Sequence, residues 1–341
     1  MKHKGIVPLA MAALALALSG CAHHQAGPRP GQLKLGMVTD VGGLGDKSFN
    51  DSAYRGLLLS KAKLGAYIRV LQSRSAADYQ PNLIALTNQH FNMIYAIGFL
   101  MNRDLDQIAK QNPTQHYAII DAIVNEPNVV SVTFKEQDGS FLAGALAAMM
   151  TKTHQIAFLG GQDIPLLHKF EAGYIAGARE IDPKIKVDVK WVGSFDDVAS
   201  GKELANVLYD SGADIIYAAA GKANLGAIDA VKSRQNDYLI GVDSNQDGLA
   251  PGKILTSMVK RVDVGVFDVA KALQNGHPLT GHIVLGLKDN GVSLTHFKYT
   301  RALIGAARIR RLHQLKRAIV DGKIVPPATR AELAVWKPVK V

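Results

Sequence analysis

From Leu33 onward the chain alternates short, β-branched apolar runs with longer stretches of helical spacing, which points to a parallel sheet covered by crossover helices. The first predicted strands are 33–40, 67–73, 92–98, 116–121 and 129–134; a second series follows at 155–161, 186–193, 213–220, 238–243 and 254–260. Helical spacing occupies 49–65, 78–90 and 101–111, then 139–151, 165–180, 199–211 and 222–234, with Asp78 and Asn102 placed as N-caps. Two successive sets of about five βα units predict two doubly wound α/β lobes of similar design. Open parallel sheets take ligands beyond the carboxyl ends of their strands. Those ends carry Asp40, Gly98, Asp121, Gly160 with Gly161, Ser194 with Phe195, Gly221 and Asp243. Polar groups and glycines so placed on two facing lobes describe a cleft that closes on a small molecule.

The chain has 341 residues, 48% of them hydrophobic, enough to bury the cores of two medium domains. Its one cysteine, Cys21, allows no intramolecular disulfide and no cysteine-based metal cluster. Lys2, His3 and Lys4 precede an apolar run from Ile6 to Leu18, too short for a bilayer span and suited to the core of an export signal. The run ends in Leu18-Ser19-Gly20-Cys21, which resembles a bacterial lipobox. The expectation is a signal peptide over 1–20, acylation of Cys21, and a flexible lipidated tether over 21–32. His23 and His24 are read as solvated linker residues, and no metal is expected.

No later stretch is long and apolar enough to cross a membrane, which excludes an integral transporter. Removing Lys2 and Lys4 with the leader takes the 39 basic residues to 37, against 29 acidic ones, a formal charge of +8. No carboxylate lies between Asp289 and Asp321, where Lys298, Arg301, Arg308, Arg310, Arg311, Lys316 and Arg317 all fall. An exported chain does not ordinarily meet nucleic acid. The segment is therefore a solvated basic helix face or a contact for anionic lipid or an acidic membrane protein.

The runs TDVGGLGDKSFNDSAYRG (39–56), FKEQDGSFLAG (134–144), GSFDD (193–197), AAAG (218–221), GVDSNQ (241–246) and GKIVP (322–326) resemble the basic membrane protein family. These are nucleoside-binding lipoproteins of ABC importers, related to the purine nucleoside receptor, and the resemblance spans about 33–326. It implies a type I periplasmic-binding-protein fold, two doubly wound parallel-sheet lobes joined by a three-strand hinge with crossings near 133, 256 and 290. Lobe 1 would take 33–132 and 256–290, lobe 2 133–255 and 291–326, and a tail 327–341.

In the family, an aromatic clamp occupies the positions of Phe49 and Phe195. A purine has two π-faces, and a ring from each lobe can sandwich it at about 1–3 kcal/mol per stacked face. Asn50 offers both a donor and an acceptor to the base edge, and a carboxylate at Glu136 can accept from ring N–H groups. Relatives more often carry Asp at the Glu136 position; helix capping near Gly139 by Glu136, or a contact from Asp138, are the alternatives. Asp40, Asp243 and Lys260 match the sugar-binding positions, since vicinal hydroxyls donate to carboxylates and accept from an ammonium. Gly221 would let backbone N–H groups approach the ribose. Ser48 is read as the cap of the 49–65 helix and Asp46 as a turn residue.

A nucleoside hydrolase would need an aspartate-rich cation site, and neither that nor a Walker A, HExxH or GxSxG motif is present. The resulting expectation is a non-catalytic, cofactor-free monomer, lipid-anchored in the cell envelope and facing the periplasm or exterior. It would capture a purine nucleoside for an ABC permease. A sugar or other solute in the same fold, or an envelope lipoprotein without a transport role, are the alternatives.

Overall fold

The computed structural model describes residues 27–339. The expected signal peptide, Cys21 and the start of the tether lie outside the described residues. The strands are Lys34–Thr39 (β1), Tyr67–Leu71 (β2), Met93–Ile97 (β3), Tyr117–Ile120 (β4), Val129–Phe134 (β5), Gln155–Gly160 (β6), Lys186–Trp191 (β7), Ile215–Ala219 (β8), Tyr238–Asp243 (β9), Ile254–Lys260 (β10), Gly281–Leu285 (β11) and Val292–Leu294 (β12). The helices are Phe49–Leu64 (α1), Tyr79–Asn88 (α2), Asn102–Gln111 (α3), Glu136–Met150 (α4), Pro165–Ile181 (α5), Val198–Asp210 (α6), Asn224–Lys232 (α7), Val262–Gln274 (α8), Arg301–Ile304 (α9), Ala306–Val320 (α10) and Arg330–Val335 (α11).

Two sheets form, in the orders β11-β5-β4-β3-β1-β2 and β12-β10-β9-β8-β6-β7. Every pairing is parallel except β10 with β12. Strands covered on both faces are apolar throughout, and β3 and β8 bury every residue. Each sheet repeats one doubly wound order, β2-β1-β3-β4-β5 in lobe 1 and β7-β6-β8-β9-β10 in lobe 2, whose winding reverses beside β1 and β6. The fold is therefore the type I periplasmic-binding arrangement of two α/β lobes. Phe158, Tyr174 and Tyr217 pack together in the core of lobe 2, with centroids 5.2 Å apart between Tyr174 and Tyr217. Among the described residues no helix is long and apolar enough to cross a membrane.

The chain passes between lobes at Lys135, at Arg261 and through 286–291. The second passage corrects the expected boundary at 256. Residues 256–260 remain in lobe 2 because β10 stays paired with β9 and with β12 through Lys260. Helix α4 begins at Glu136 rather than near Gly139, with Glu136 and Asp138 in its first turn, where the helix dipole favours carboxylates.

Asp78 stands at the N-cap of α2 as expected, but its side chain does not cap that helix, and the N-cap of α3 is Met101. Asp78 Oδ2 accepts from the N–H groups of Arg74 (2.8 Å) and Ser75 (3.1 Å), closing the turn before α2. Asn102 lies inside α3 and donates to the Ile123 carbonyl. Helices α8 and α10 and strands β11 and β12 were not assigned from the sequence. The tail beyond 326 packs on lobe 2 through Trp336 against Phe141 and Arg330 against Glu171.

Candidate functional site

The carboxyl ends of β1, β3, β4, β8 and β9 converge on a cavity between the lobes with about 540 Å³ of unoccupied space, its mouth included. Asp40, Phe49, Asn50, Phe195, Gly221, Asp243 and Lys260, all singled out from the sequence, line it. So do Gly98 and Asp121, marked in the sequence as strand ends, Asp46, read there as a turn residue, and Phe99, Leu166, Leu167, Phe170 and Lys222, which the sequence did not mark.

Lobe 1 builds its wall from the turn after β1. Asp46, not Ser48, closes the first turn of α1: its carboxylate accepts from the backbone N–H groups of Ser48 (2.9 Å), Asn50 (2.7 Å) and Asp51 (3.1 Å). The same carboxylate takes a hydrogen bond from Asn50 Nδ2 at 3.1 Å, and Asp40 takes another at 2.7 Å. With its amide so committed, Asn50 leaves Oδ1 buried and unpartnered. Ser48 instead reaches across the cleft, donating to Asp243 Oδ2 at 2.7 Å. Beside it, Ser244 Oγ donates to the Ser48 carbonyl (2.6 Å) and Gln246 Nε2 to that of Lys47 (3.2 Å). The lobes are thus held together both at the cavity wall, through Asp243, and beside it, through Ser244 and Gln246.

Lys260, at the end of β10, is buried at 2% exposure. Its ammonium donates to Asp121 Oδ2 at 2.5 Å and lies 3.7 Å from Glu136 Oε1 and 3.8 Å from Asp243 Oδ1. It also sits over the Phe49 ring, 4.8 Å from the centroid. Burial works to lower its pKa, but Asp121, Asp243 and Glu136 together outweigh that and hold it above the ordinary lysine range. Asp121 and Asp243 both adopt left-handed backbone, φ 68° and 61°, as the last residues before the chain turns from its strand. Aspartate tolerates this conformation better than most residues, and such strain collects at binding sites.

Burial pushes Asp40 up to about 7, against the hydrogen bonds from Asn50 and the Gly42 N–H, with Asp46 and Asp121 adding to the rise. Burial likewise pushes Asp243 up to about 6, moderated by Lys260 and Ser48. Four carboxylates thus face two ammonium groups, of Lys260 and Lys222, and one amide across the cavity. The surplus is of acceptors, so a ligand rich in N–H and O–H donors complements it, and a phosphate does not.

Lobe 2 contributes mostly apolar surface: Leu166, Leu167 and Phe170 from α5, and Phe195 from the turn after β7. Phe195 can lie against its lobe because Gly161 and Gly221 are beneath it. A Cβ on Gly221 would stand 3.1 Å from the Phe195 carbonyl oxygen, and one on Gly161 would collide with the ring. Gly221 also has φ 59°, which a side chain would strain.

Glu136 departs from expectation. Fully buried, it accepts from Lys169 at 3.1 Å and faces Lys260 from outside the cavity lining, where its charge supports the ammonium. Its pKa is raised by burial, opposed by Lys260 and Lys169. Asp138 does not line the cavity either. Asp121 was visible in the sequence as a strand-end carboxylate; Phe170 and its neighbours carried no mark distinguishing them from helix core.

Residues 33–326 match the family described as ABC transporter substrate-binding protein PnrA-like (Bmp). An ABC transporter nucleoside-binding protein, BmpA, from Lactococcus lactis is 35% identical, over 94% of this chain and 98% of that relative. Basic membrane protein D of Borreliella burgdorferi is 36% identical over 76% of this chain and 78% of its own. Among solved structures, an ABC transporter solute-binding protein from Aeropyrum pernix superposes with a TM-score of 0.82 at 27% identity, covering 89% of this chain and 95% of that one. The Lac repressor, at TM-score 0.56 and 18% identity, shares the fold alone. Sequence, fold and cleft agree, and the chain belongs to the PnrA-like (Bmp) family of ABC transporter substrate-binding proteins.

Proposed function

We propose that this protein captures a purine nucleoside in the interlobe cavity, closes over it, and presents it to an ABC permease while anchored to the membrane through Cys21. The observation that carries the reading is the pairing of Phe49 from lobe 1 and Phe195 from lobe 2 on one cavity whose remaining polar wall is rich in carboxylates. Aromatic walls suit a flat heterocycle, and carboxylates suit the hydroxyls of a ribose. Asp40 and Asp243 with Lys260 take the sugar, and the open acceptor of Asn50 takes a base N–H. Asp121, which also carries an unpartnered Oδ1, joins this set in the place expected of Glu136. The acceptor surplus favours an uncharged nucleoside over its phosphate esters. The nucleoside-binding description of the Lactococcus lactis relative supports the same ligand class.

Calorimetric titration with inosine, guanosine, adenosine, cytidine and ribose tests this directly. Purine nucleosides are expected to bind and free ribose to bind far more weakly; indifference to every nucleoside would remove the proposal. Phe195→Ala is expected to weaken purine nucleoside binding by about 1–3 kcal/mol while leaving the thermal midpoint little changed.

A further inference from the structure

Nucleoside capture leaves one face of lobe 2 unused. Helix α10 buries Ile309, Leu312 and Leu315 and leaves Arg310, His313 and Arg317 exposed, a spacing that sets them along one side. Two adjoining hollows between α10, α9 and β12 share Arg301, Ile309 and His313 and so make one groove. Lys316 and Arg261 line one end of it, and Lys298 with Arg310 the other. Arg301, Arg310 and Lys316 meet no carboxylate among the described residues, whereas elsewhere on the lobe surface Lys202 and Lys186 each have one and Arg234 has two. No acidic residue occurs from 290 to 320 to offset these cations. Tyr299 lines the groove and is 43% exposed, and α9 and α10 also expose Leu303 (45%) and Val320 (41%).

We propose that this face docks on an anionic lipid surface, with lipid phosphates in the groove and Tyr299 and Leu303 at headgroup level. Unpaired cations gain from anionic headgroups, and apolar side chains among them gain from the boundary with the acyl chains but nothing from a soluble polyanion. Lobe 2 is then the jaw resting on the membrane. Lobe 1, to which the described chain crosses at Lys135, Arg261 and 286–291, is the jaw that swings when the cleft opens.

The test uses the mature chain with Cys21→Ser, so that no acyl group contributes, sedimented with vesicles of phosphatidylcholine alone or mixed with phosphatidylglycerol. Binding is expected only to the mixed vesicles and is expected to fall as salt rises. Replacing Arg301, Arg310 and Lys316 together by Gln is expected to weaken it on the order of 100-fold, with nucleoside affinity retained as evidence of folding. The same triple change at Lys186, Lys190 and Lys232, on the same lobe, is expected to leave most of the binding. The proposal is overturned by equal losses in the two triple variants, by no preference for mixed vesicles, or by tight binding of an oligonucleotide or inorganic phosphate in place of the vesicles.

Discussion

The two lobes share a winding but meet the cavity with different chemistry. Lobe 1 brings Asp40, Asp46 and Asn50, wired to one another and to the first turn of α1, and Asp121 beside them. Lobe 2 brings Leu166, Leu167, Phe170 and Phe195, and its charged contribution is Asp243 and Lys260 at the ends of β9 and β10 with Lys222 after β8. The polar network of lobe 1 lies mostly within one turn of chain and does not need the second lobe to form. The ion pair of Lys260 with Asp121 exists only when the lobes are together. One lobe therefore carries a preset recognition surface, and the other supplies apolar contact and the charge that rewards closure.

The largest expected effect follows from that asymmetry. Lys260→Met leaves Asp121, Asp243 and Glu136 buried around a missing cation, and urea denaturation should show a loss of about 3–5 kcal/mol. Lys169→Met, which removes a half-buried partner of Glu136 within lobe 2, should cost clearly less. Equal losses would assign the effect to Glu136 alone and erase the distinction between the lobes.

A pH series sharpens the comparison further. Asp40 and Asp243 hold pKa values of about 7 and about 6, so the folded protein keeps protons that the unfolded chain has released. Their contribution to stability is complete below about pH 4 and is lost as pH rises through 6 and then 7, on the order of 4 kcal/mol for Asp40. The ligand-free protein is expected to lose stability across that range, and Asp40→Asn to flatten the upper part of the fall. A profile unchanged by the substitution would show that Asp40 is ionised throughout.

Ser48→Ala should have the smallest effect. It deletes the 2.7 Å bond to Asp243 across the cleft, worth about 1–2 kcal/mol, and so should speed nucleoside release by about tenfold in stopped-flow measurements. An unaltered release rate would mean that the Ser244 and Gln246 bonds hold the lobes without it.

Much of this was legible in local pattern. The strands at 129–134, 238–243 and 254–260 appear at their predicted bounds because apolar runs ended by polar residues mark them directly. Strand-end carboxylates such as Asp40 and Asp243 were legible for the same reason, whereas the aromatic pair Phe49 and Phe195 came from the family resemblance. Ser48 was misread because an N-cap position usually implies a capping side chain, and here Asp46 already satisfies those N–H groups. Helix α10 went unassigned because its cations obscure the apolar positions 309, 312 and 315.

Periodicity and residue type are properties of neighbouring positions, so the run of βα units and the chemistry at each strand end could be read before any fold existed. Which of those ends share a charge could not. Asp121 and Lys260 lie 139 positions apart, and their bond depends on how two separately built sheets face each other. The same geometry drew Glu136 beneath Lys260 and away from the cavity, because a carboxylate that begins a buried helix must find its cation wherever packing leaves one.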